Sequence, residues 1–335
     1  MARVLRGGRS DVTRIPRRHF LRLAGAAAVF GSRAVRAQAY PSQPIRWIVG
    51  FPPGGGADIV SRIMAAWLAE RLGQSVFVEN KPGASTNLSL QTAVNAAPDG
   101  HTLVFVAASA AVNVSLFKNL TFDLRRDIAP VAGLVDFPLV LLANPQVPVK
   151  TVAELIAYAK ANPGKVSIGS FGTGTTSHVA GELFKQLAGI DMVHVPYRGG
   201  AALATDLMAG RVQAGFDVLT GELPHIQAGA IRALAMAGRT RYPALPDVPT
   251  IAETMPLYVA NSWCGVGVPR GTPPAVVARL NYEINAGLGN PAVRGRLDEV
   301  AATPMPLAPD AFGAYVGSEI DKWAQVIQAA NIKVE

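Results

Sequence analysis

Ile45-Arg46-Trp47-Ile48-Val49-Gly50-Phe51-Pro52-Pro53-Gly54-Gly55-Gly56-Ala57-Asp58 starts as a β-rich run, breaks at a glycine turn and leads into a segment whose apolar residues return at helical spacing. Ile59/Val60, Ile63/Met64, Trp67/Leu68 and Leu72 form that stripe. The same layout recurs further along: residues 166–169 read as a strand and residues 170–174 as a glycine-rich turn. Residues 176–187 then read as a helix with Val179, Leu183 and Leu187 on one face. Between and after these units, residues 76–79, 102–106, 193–195, 214–217 and 231–235 read as strands, and 87–96 and 201–209 as helices. Thr151-Val152-Ala153-Glu154 is a capping box, and Asn162-Pro163-Gly164 ends the helix it starts. Strands alternating with helices predict an α/β protein with parallel-rich sheets and crossover helices. Residues 259–268 read as extended chain, and Phe312, Val316, Ile320, Trp323 and Ile327 mark a C-terminal helix.

With 335 residues, 50% of them hydrophobic, the chain is long enough for two lobes that each bury a core. Its formal net charge of +8 invites a phosphate-backbone partner, but residues 1–39 hold nine arginines and one aspartate. That leaves 22 basic and 22 acidic side chains of the 31 and 23 in the whole chain, and a neutral body argues against nucleic acid. Arg17-Arg18-His19-Phe20-Leu21-Arg22, a short apolar stretch and Ala37-Gln38-Ala39 are the three parts of an export signal of twin-arginine type. Cleavage near Ala39 would release a periplasmic protein, since the apolar stretch is shorter than the ~20 residues of a spanning helix. The lone Cys264 permits no internal disulfide and reads as a small buried apolar residue.

A glycine turn that delivers a strand into a helix leaves backbone N–H groups free at the helix start, where the macrodipole attracts an anion. Two such turns, the second rich in hydroxyls, would face one cleft from two lobes. A dinucleotide fold is the sharpest rival, with Glu79 placed to meet a ribose, but Gly54-Gly55-Gly56 lacks the G-x-G-x-x-G spacing. A hydrolase finds no G-x-S-x-G elbow at Ser170, and the scattered His101, His178, His194 and His225 offer no metal spacing. The expectation is a binding protein with no catalytic residues, cofactor or metal, and with an exported enzyme as the alternative. Asp217, at a strand end, reads either as a contact for a polar or amino group or as a helix cap.

Phe51 to Asp58, Glu79-Asn80-Lys81-Pro82-Gly83-Ala84 and Pro98-Asp99-Gly100-His101-Thr102-Leu103, together with the export signal, resemble the Bug family. These are the substrate-binding proteins of tripartite tricarboxylate transporters. Val195-Pro196-Tyr197-Arg198-Gly199-Gly200, Asp206-Leu207-Met208-Ala209-Gly210 and Leu245-Pro246-Asp247-Val248-Pro249-Thr250-Ile251-Ala252-Glu253 extend the likeness over the second half. The resemblance implies a two-lobed, type II periplasmic-binding-protein fold with a ligand cleft between the lobes. Residues 40–143 and 265–335 would form lobe 1, and 144–264 lobe 2. It implies a monomer that captures a small carboxylate and presents it to membrane permease subunits, or to a sensor in place of a transporter. By motif, the ligand's carboxylate would meet Phe51, Gly55, Gly56, Ala57, Asp58, Ser85, Thr86, Ser109 and Asn113. From the second lobe come Ser170, Gly172, Thr173, Gly174, Thr175, Thr176, Ser177, Tyr197, Arg198, Gly199 and Asp217. One departure stands out: family members often follow Pro-Gly-Ala with two glycines, where this chain has Ser85-Thr86-Asn87. That leaves tricarboxylates, dicarboxylates, amino acids and aromatic acids all open as ligands.

Overall fold

The glycine turn after residue 49 sits where the sequence puts it, between β1 (Ile45–Val49) and α1 (Gly56–Leu72), in a computed structural model that describes residues 40–329 and residue 332. The compact unit begins at Gln43, and the expected export segment of residues 1–39 lies outside the described residues. β2 (Val76–Asn80), α2 (Asn87–Val94), β3 (Thr102–Ala107) and α3 (Ala108–Leu116) complete the first parallel unit, with β1 between β2 and β3. After the four-residue α4 (Leu124–Asp127) come β4 (Ile128–Phe137) and, across the single residue Pro138, β5 (Leu139–Ala143).

β5 belongs to a second sheet. That sheet is built from α5 (Val152–Ala161), β6 (Ser167–Ser170), α6 (Thr176–Ala188), β7 (Val193–Pro196), α7 (Gly200–Met208), β8 (Ala214–Val218), α8 (Leu219–Gln227) and β9 (Arg232–Met236). Its order is β7-β6-β8-β5-β9. The chain returns to the first sheet as β10 (Ser262–Pro269) and continues through α9 (Pro274–Gly289), α10 (Pro291–Asp298), β11 (Thr303–Pro304) and α11 (Pro309–Ala329). The first sheet runs β11-β4-β10-β3-β1-β2.

Strand direction follows from the crossings. β1 to β4 share one sense and β6 to β9 share another, each ending toward the gap between the sheets, whereas β5 and β10 run antiparallel to their neighbours. A strand that arrives from the other lobe starts at the gap and must run away from it. The crossings are therefore at residues 137–139 and 260–262, a few residues before the breaks at 143/144 and 264/265 that the resemblance implied. β4 and β5 are both buried apolar runs, and the punctuation at their join, Asp136 and Pro138, is no stronger in the sequence than Pro130 and Gly133 inside β4. The two crossings are tied through Ala237, whose N–H donates to Leu139 O (2.8 Å) and whose O accepts from Ala260 N–H (3.0 Å).

Each lobe buries its own core, and the lobes share an apolar joint on one side. Phe312, Val316 and Ile320 of α11 pack with Val104, Val106 and Trp263 of the first lobe. Trp323 and Ile327, one to two turns later, pack with Val179, Phe184 and Phe216 of the second, as do Val112 and Leu116 of α3. The C-terminal stripe seen in the sequence thus serves two cores in succession. Thr151 caps α5 as expected, its Oγ1 accepting from Glu154 N–H (3.1 Å) while the Glu154 carboxylate accepts from Thr151 N–H (3.2 Å). Among the described residues no helix is long and apolar enough to cross a membrane.

Candidate functional site

Five helices start directly from strand ends that face the gap: α1, α3, α6, α7 and α8. Four of them, behind Gly55, Ala107, Gly199 and Val218, have no side-chain cap; on α8 the first N–H, of Leu219, donates to Pro138 O (2.8 Å), and the other three starts leave their first N–H groups for something else. All four capping positions line one cleft of about 380 Å³ between the two sheets. Its walls are apolar: Phe51 meets Phe105 edge-on at 6.2 Å and Phe171, from the other lobe, at 6.3 Å, while Phe137, Trp263 and Met208 close the sides. Aromatic walls with four converging positive helix ends suit a small anion with an apolar body.

Of the residues expected at the site, Phe51, Gly55, Gly56, Ala57, Ser109, Thr176, Arg198, Gly199 and Asp217 line this cleft. The others stand behind its wall and hold it. Asp58 is 4% exposed and braces the first turn, accepting from Gly54 N–H (3.0 Å), Arg62 Nε (2.9 Å) and Asn80 Nδ2 (2.9 Å). Burial opposes its charge, but Arg62, the Gly54 amide and Asn80 outweigh that and keep its carboxyl below the usual range. Asn113 Nδ2 donates to Ser85 O (2.7 Å) and Asn87 Oδ1 (3.0 Å), and Thr86 and Ser109 bring their hydroxyls to 3.4 Å. Ser85 Oγ donates across the gap to Thr173 O. Gly174 packs so closely on the first lobe that a Cβ there would sit 2.8 Å from Asn113 Oδ1 and 2.9 Å from Phe117.

The hydroxyls of the second turn are used within the turn. Thr175 Oγ1 donates to Gly172 O (2.6 Å), Ser177 Oγ accepts from Phe171 N–H (2.9 Å), and Thr176 Oγ1 reaches Ser262 Oγ (3.2 Å) in the other lobe. Ser170 Oγ lies 2.7 Å from His194 Nε2, and His178 Nδ1 accepts from Gly174 N–H (3.2 Å). Tyr197 Oη donates to Asp206 Oδ2 (3.0 Å) outside the cleft.

His178, Glu182 and His194 come close enough to raise the question of a metal, with ligand atoms within 4.8 Å of one another. The two imidazoles are stacked, centroids 4.1 Å apart and planes at 24°, so their in-plane lone pairs do not converge on one point. Lys185 Nζ also occupies Glu182 Oε1 at 2.7 Å. Burial, with the Lys185 charge nearby, pulls His178 down to about 4. Burial, with His178 beside it, does the same for His194. These are neutral struts under the second turn. Glu79, the acid a dinucleotide ribose would require, faces Arg46 at 3.5 Å and does not line the cleft.

Sequence reasoning missed Phe105, Phe137, Trp263 and Met208, which read as ordinary core, and the polar Thr205, Glu222, His225 and Ser262. Glu222 is 2% exposed, and burial pushes its carboxyl far up, with Asp217 adding to the shift; burial raises Asp217 likewise against a partial offset from Val218 N–H.

Residues 60–332 match the tripartite tricarboxylate transporter family receptor, TctC. The chain is similar to protein BugT of Bordetella pertussis, with 36% identity over 319 residues that cover 94% of this chain and 96% of that one. A protein of R. palustris solved with adipate is 34% identical at a TM-score of 0.85, covering 88% of this chain and 99% of its own. MatC from Rhodopseudomonas palustris, solved with bound malate, is 33% identical at a TM-score of 0.82, covering 86% and 100%. The two-lobed architecture is that of periplasmic binding proteins, and this chain belongs to the TctC family of tripartite tricarboxylate transporter receptors.

Proposed function

We propose that this protein is an exported, periplasmic solute receptor that closes its two lobes on a small carboxylate and delivers it, unconverted, to the membrane permease of a tripartite transporter. The observation that carries this reading is the convergence of four helix starts without side-chain caps on one apolar-walled cleft between the lobes. A carboxylate would be held by the backbone amides of Gly56 and Ala57 from the first lobe and by those after Gly199 from the second, with Ser109, Thr176 and Arg198 alongside. Adipate and malate in two relatives support the class of ligand.

Lobe closure replaces water around the ligand with fixed dipoles, and the closed form is what a permease would recognise. The apolar joint of α3 and α11 lets one side stay packed while the crossings at residues 137–139 and 260–262 bend. The test is a thermal-shift and calorimetric panel of mono-, di- and tricarboxylates and amino acids, with the solute recovered afterwards by mass spectrometry. A melting-temperature rise confined to carboxylates, with the solute intact, is expected. A chemically altered solute would make the protein an enzyme, and a response to NAD(P) alone would make the cleft a nucleotide site.

A further inference from the structure

Three of the buried polar atoms that the fold leaves without partners, Asp217 Oδ2, Thr220 Oγ1 and Glu222 Oε2, fall together at the end of β8 and the start of α8, on one flank of the cleft. Asp217, which ends β8, is 2% exposed; its Oδ1 accepts from Val218 N–H at 2.7 Å, but its Oδ2 has no hydrogen-bond partner among the described residues. Glu222, on the first turns of α8, is equally buried and its Oε2 is also unpartnered. Both residues line the cleft. The start of α7 passes so near Asp217 that a Cβ on Gly200 would lie 2.5 Å from Oδ2, so no side chain from that helix start can shield the carboxyl.

Two desolvated carboxyls with no cation beside them are a destabilising arrangement, and a fold keeps one where a ligand supplies the missing partner. The other charged or titratable groups facing the cleft are Arg198, ahead of α7, and His225, on α8. Arg198 makes no ion pair among the described residues. The cleft therefore offers an unpaired cation and helix starts for an anion, and separately two unpartnered acids. A plain dicarboxylate satisfies the first set and leaves the second unmet.

We propose that Asp217 and Glu222 form a recognition point for an ammonium group, so that the solute is an amino-bearing carboxylate and not a simple dicarboxylate. The proposal rests on the receptor reading above and narrows it. An ammonium donates to Asp217 Oδ2 and Glu222 Oε2 together, and its charge draws both acids into their ionised forms. Because burial raises both carboxyls above the ordinary range, they hold protons at mildly acidic pH in the empty protein, and binding an ammonium there must displace those protons. Affinity for an amino-bearing ligand therefore increases as pH rises above the ordinary carboxylate range toward neutrality and beyond.

The experiment is isothermal titration of the protein with three matched pairs, succinate and aspartate, glutarate and glutamate, adipate and 2-aminoadipate, at about pH 6 and about pH 8. At least one amino member is expected to bind at least about tenfold tighter than its partner, with a ratio that grows several-fold between the two pH values. Glu222→Gln, and separately Asp217→Asn, should bring that ratio below about threefold, with a cooperative melt as the check that each variant is folded. Plain dicarboxylates binding as tightly as their amino partners in all three pairs would overturn the proposal and leave the receptor reading intact. So would an amino-to-plain ratio that does not grow between the two pH values, since acids that receive an ammonium must first give up their protons. Silence from all six ligands, with the folded protein answering another carboxylate of the wider panel, would remove this proposal and leave the receptor reading intact; silence across the whole panel would remove both.

Discussion

After β1 the chain turns through four glycines and a single acid, and after β6 it turns through two glycines and a set of hydroxyls; both turns open a helix toward the same cleft. In the first, Asp58 folds back to Gly54 N–H and the helix start behind Gly55 has no side-chain cap. In the second, Thr175 takes the cap position and accepts from His178 N–H, and Ser177 takes the Phe171 amide. Two turns with one layout thus have different duties: the first presents amides, and the second is a rigid wall fixed from beneath by histidines and pressed against the other lobe. A hydroxyl-rich turn is the more suggestive sequence, yet its hydroxyls are largely committed to itself.

Gly54 and Gly174 break this comparison most directly, because both have a positive φ, +82° and +75°, and differ only in what surrounds them. A Cβ at Gly54 meets nothing within 4 Å, whereas one at Gly174 collides with Asn113 and Phe117 of the first lobe. Gly174→Ala should weaken carboxylate binding by up to about a hundredfold, roughly 3 kcal/mol of overpacking met where the lobes close. Gly54→Ala carries only backbone strain, about 1 kcal/mol present in every state, so its melting temperature should fall while its affinity holds. Calorimetric affinities for the two variants check this; equal losses would mean that the second turn is not locked against the first lobe.

Acid should separate the turns next. His178 and His194 titrate near 4 in the folded protein, below the ordinary 6.5, so the unfolded chain binds their protons first. The stability they contribute is complete above about pH 6.5 and is lost as pH falls toward about 4, on the order of 3 kcal/mol for the pair. Asp58 has the same sign, since its carboxyl is also held below its ordinary range, but it titrates in a lower window. Its contribution persists through that window and fades only below about pH 4. Urea melts across pH should show the histidine limb, and the double variant His178→Gln, His194→Gln should flatten it.

Thr175 lies 2% exposed behind the wall, so Thr175→Ala is expected to lower stability by about 1 kcal/mol, a melting shift of about 2–4 °C, through the lost cap. Ligand affinity should stay within about twofold. A large affinity loss with an unchanged melt would return Thr175 to the ligand.

The strand, turn and helix units were legible because each has a local signal: alternation or an apolar run, glycines, then 3.6-residue spacing. The facing of both turns to one cleft was legible from the same units, since parallel strand ends gather ligand sites. Other features have no local signal. The crossing at residues 137–139 sits inside a buried run, Phe105 and Trp263 look like any core aromatic, and Glu222 on a short helix looks like a solvated acid until its burial is known. Whether a hydroxyl faces a ligand or its own loop depends on tertiary partners such as Gly172 O and His194, which spacing alone does not provide.

Ser85 carries the smallest expected effect and the finest test of how the turns meet. Ala84, Ser85 and Thr86 all have positive φ, 46°, 55° and 75°, a conformation that disfavours side chains and suits glycine. In return, Ser85 Oγ reaches Thr173 O of the second turn, a bond between the lobes. Ser85→Gly removes the strain from every state of the protein but removes this bond only from the state in which the lobes meet. Stability of the empty protein should therefore hold or rise by up to about 1 kcal/mol, while ligand affinity falls about three- to fivefold, the net value of one hydrogen bond. If stability and affinity instead fall together, Ser85 supports the first lobe alone, and the second turn is held against it by the packing of Gly174.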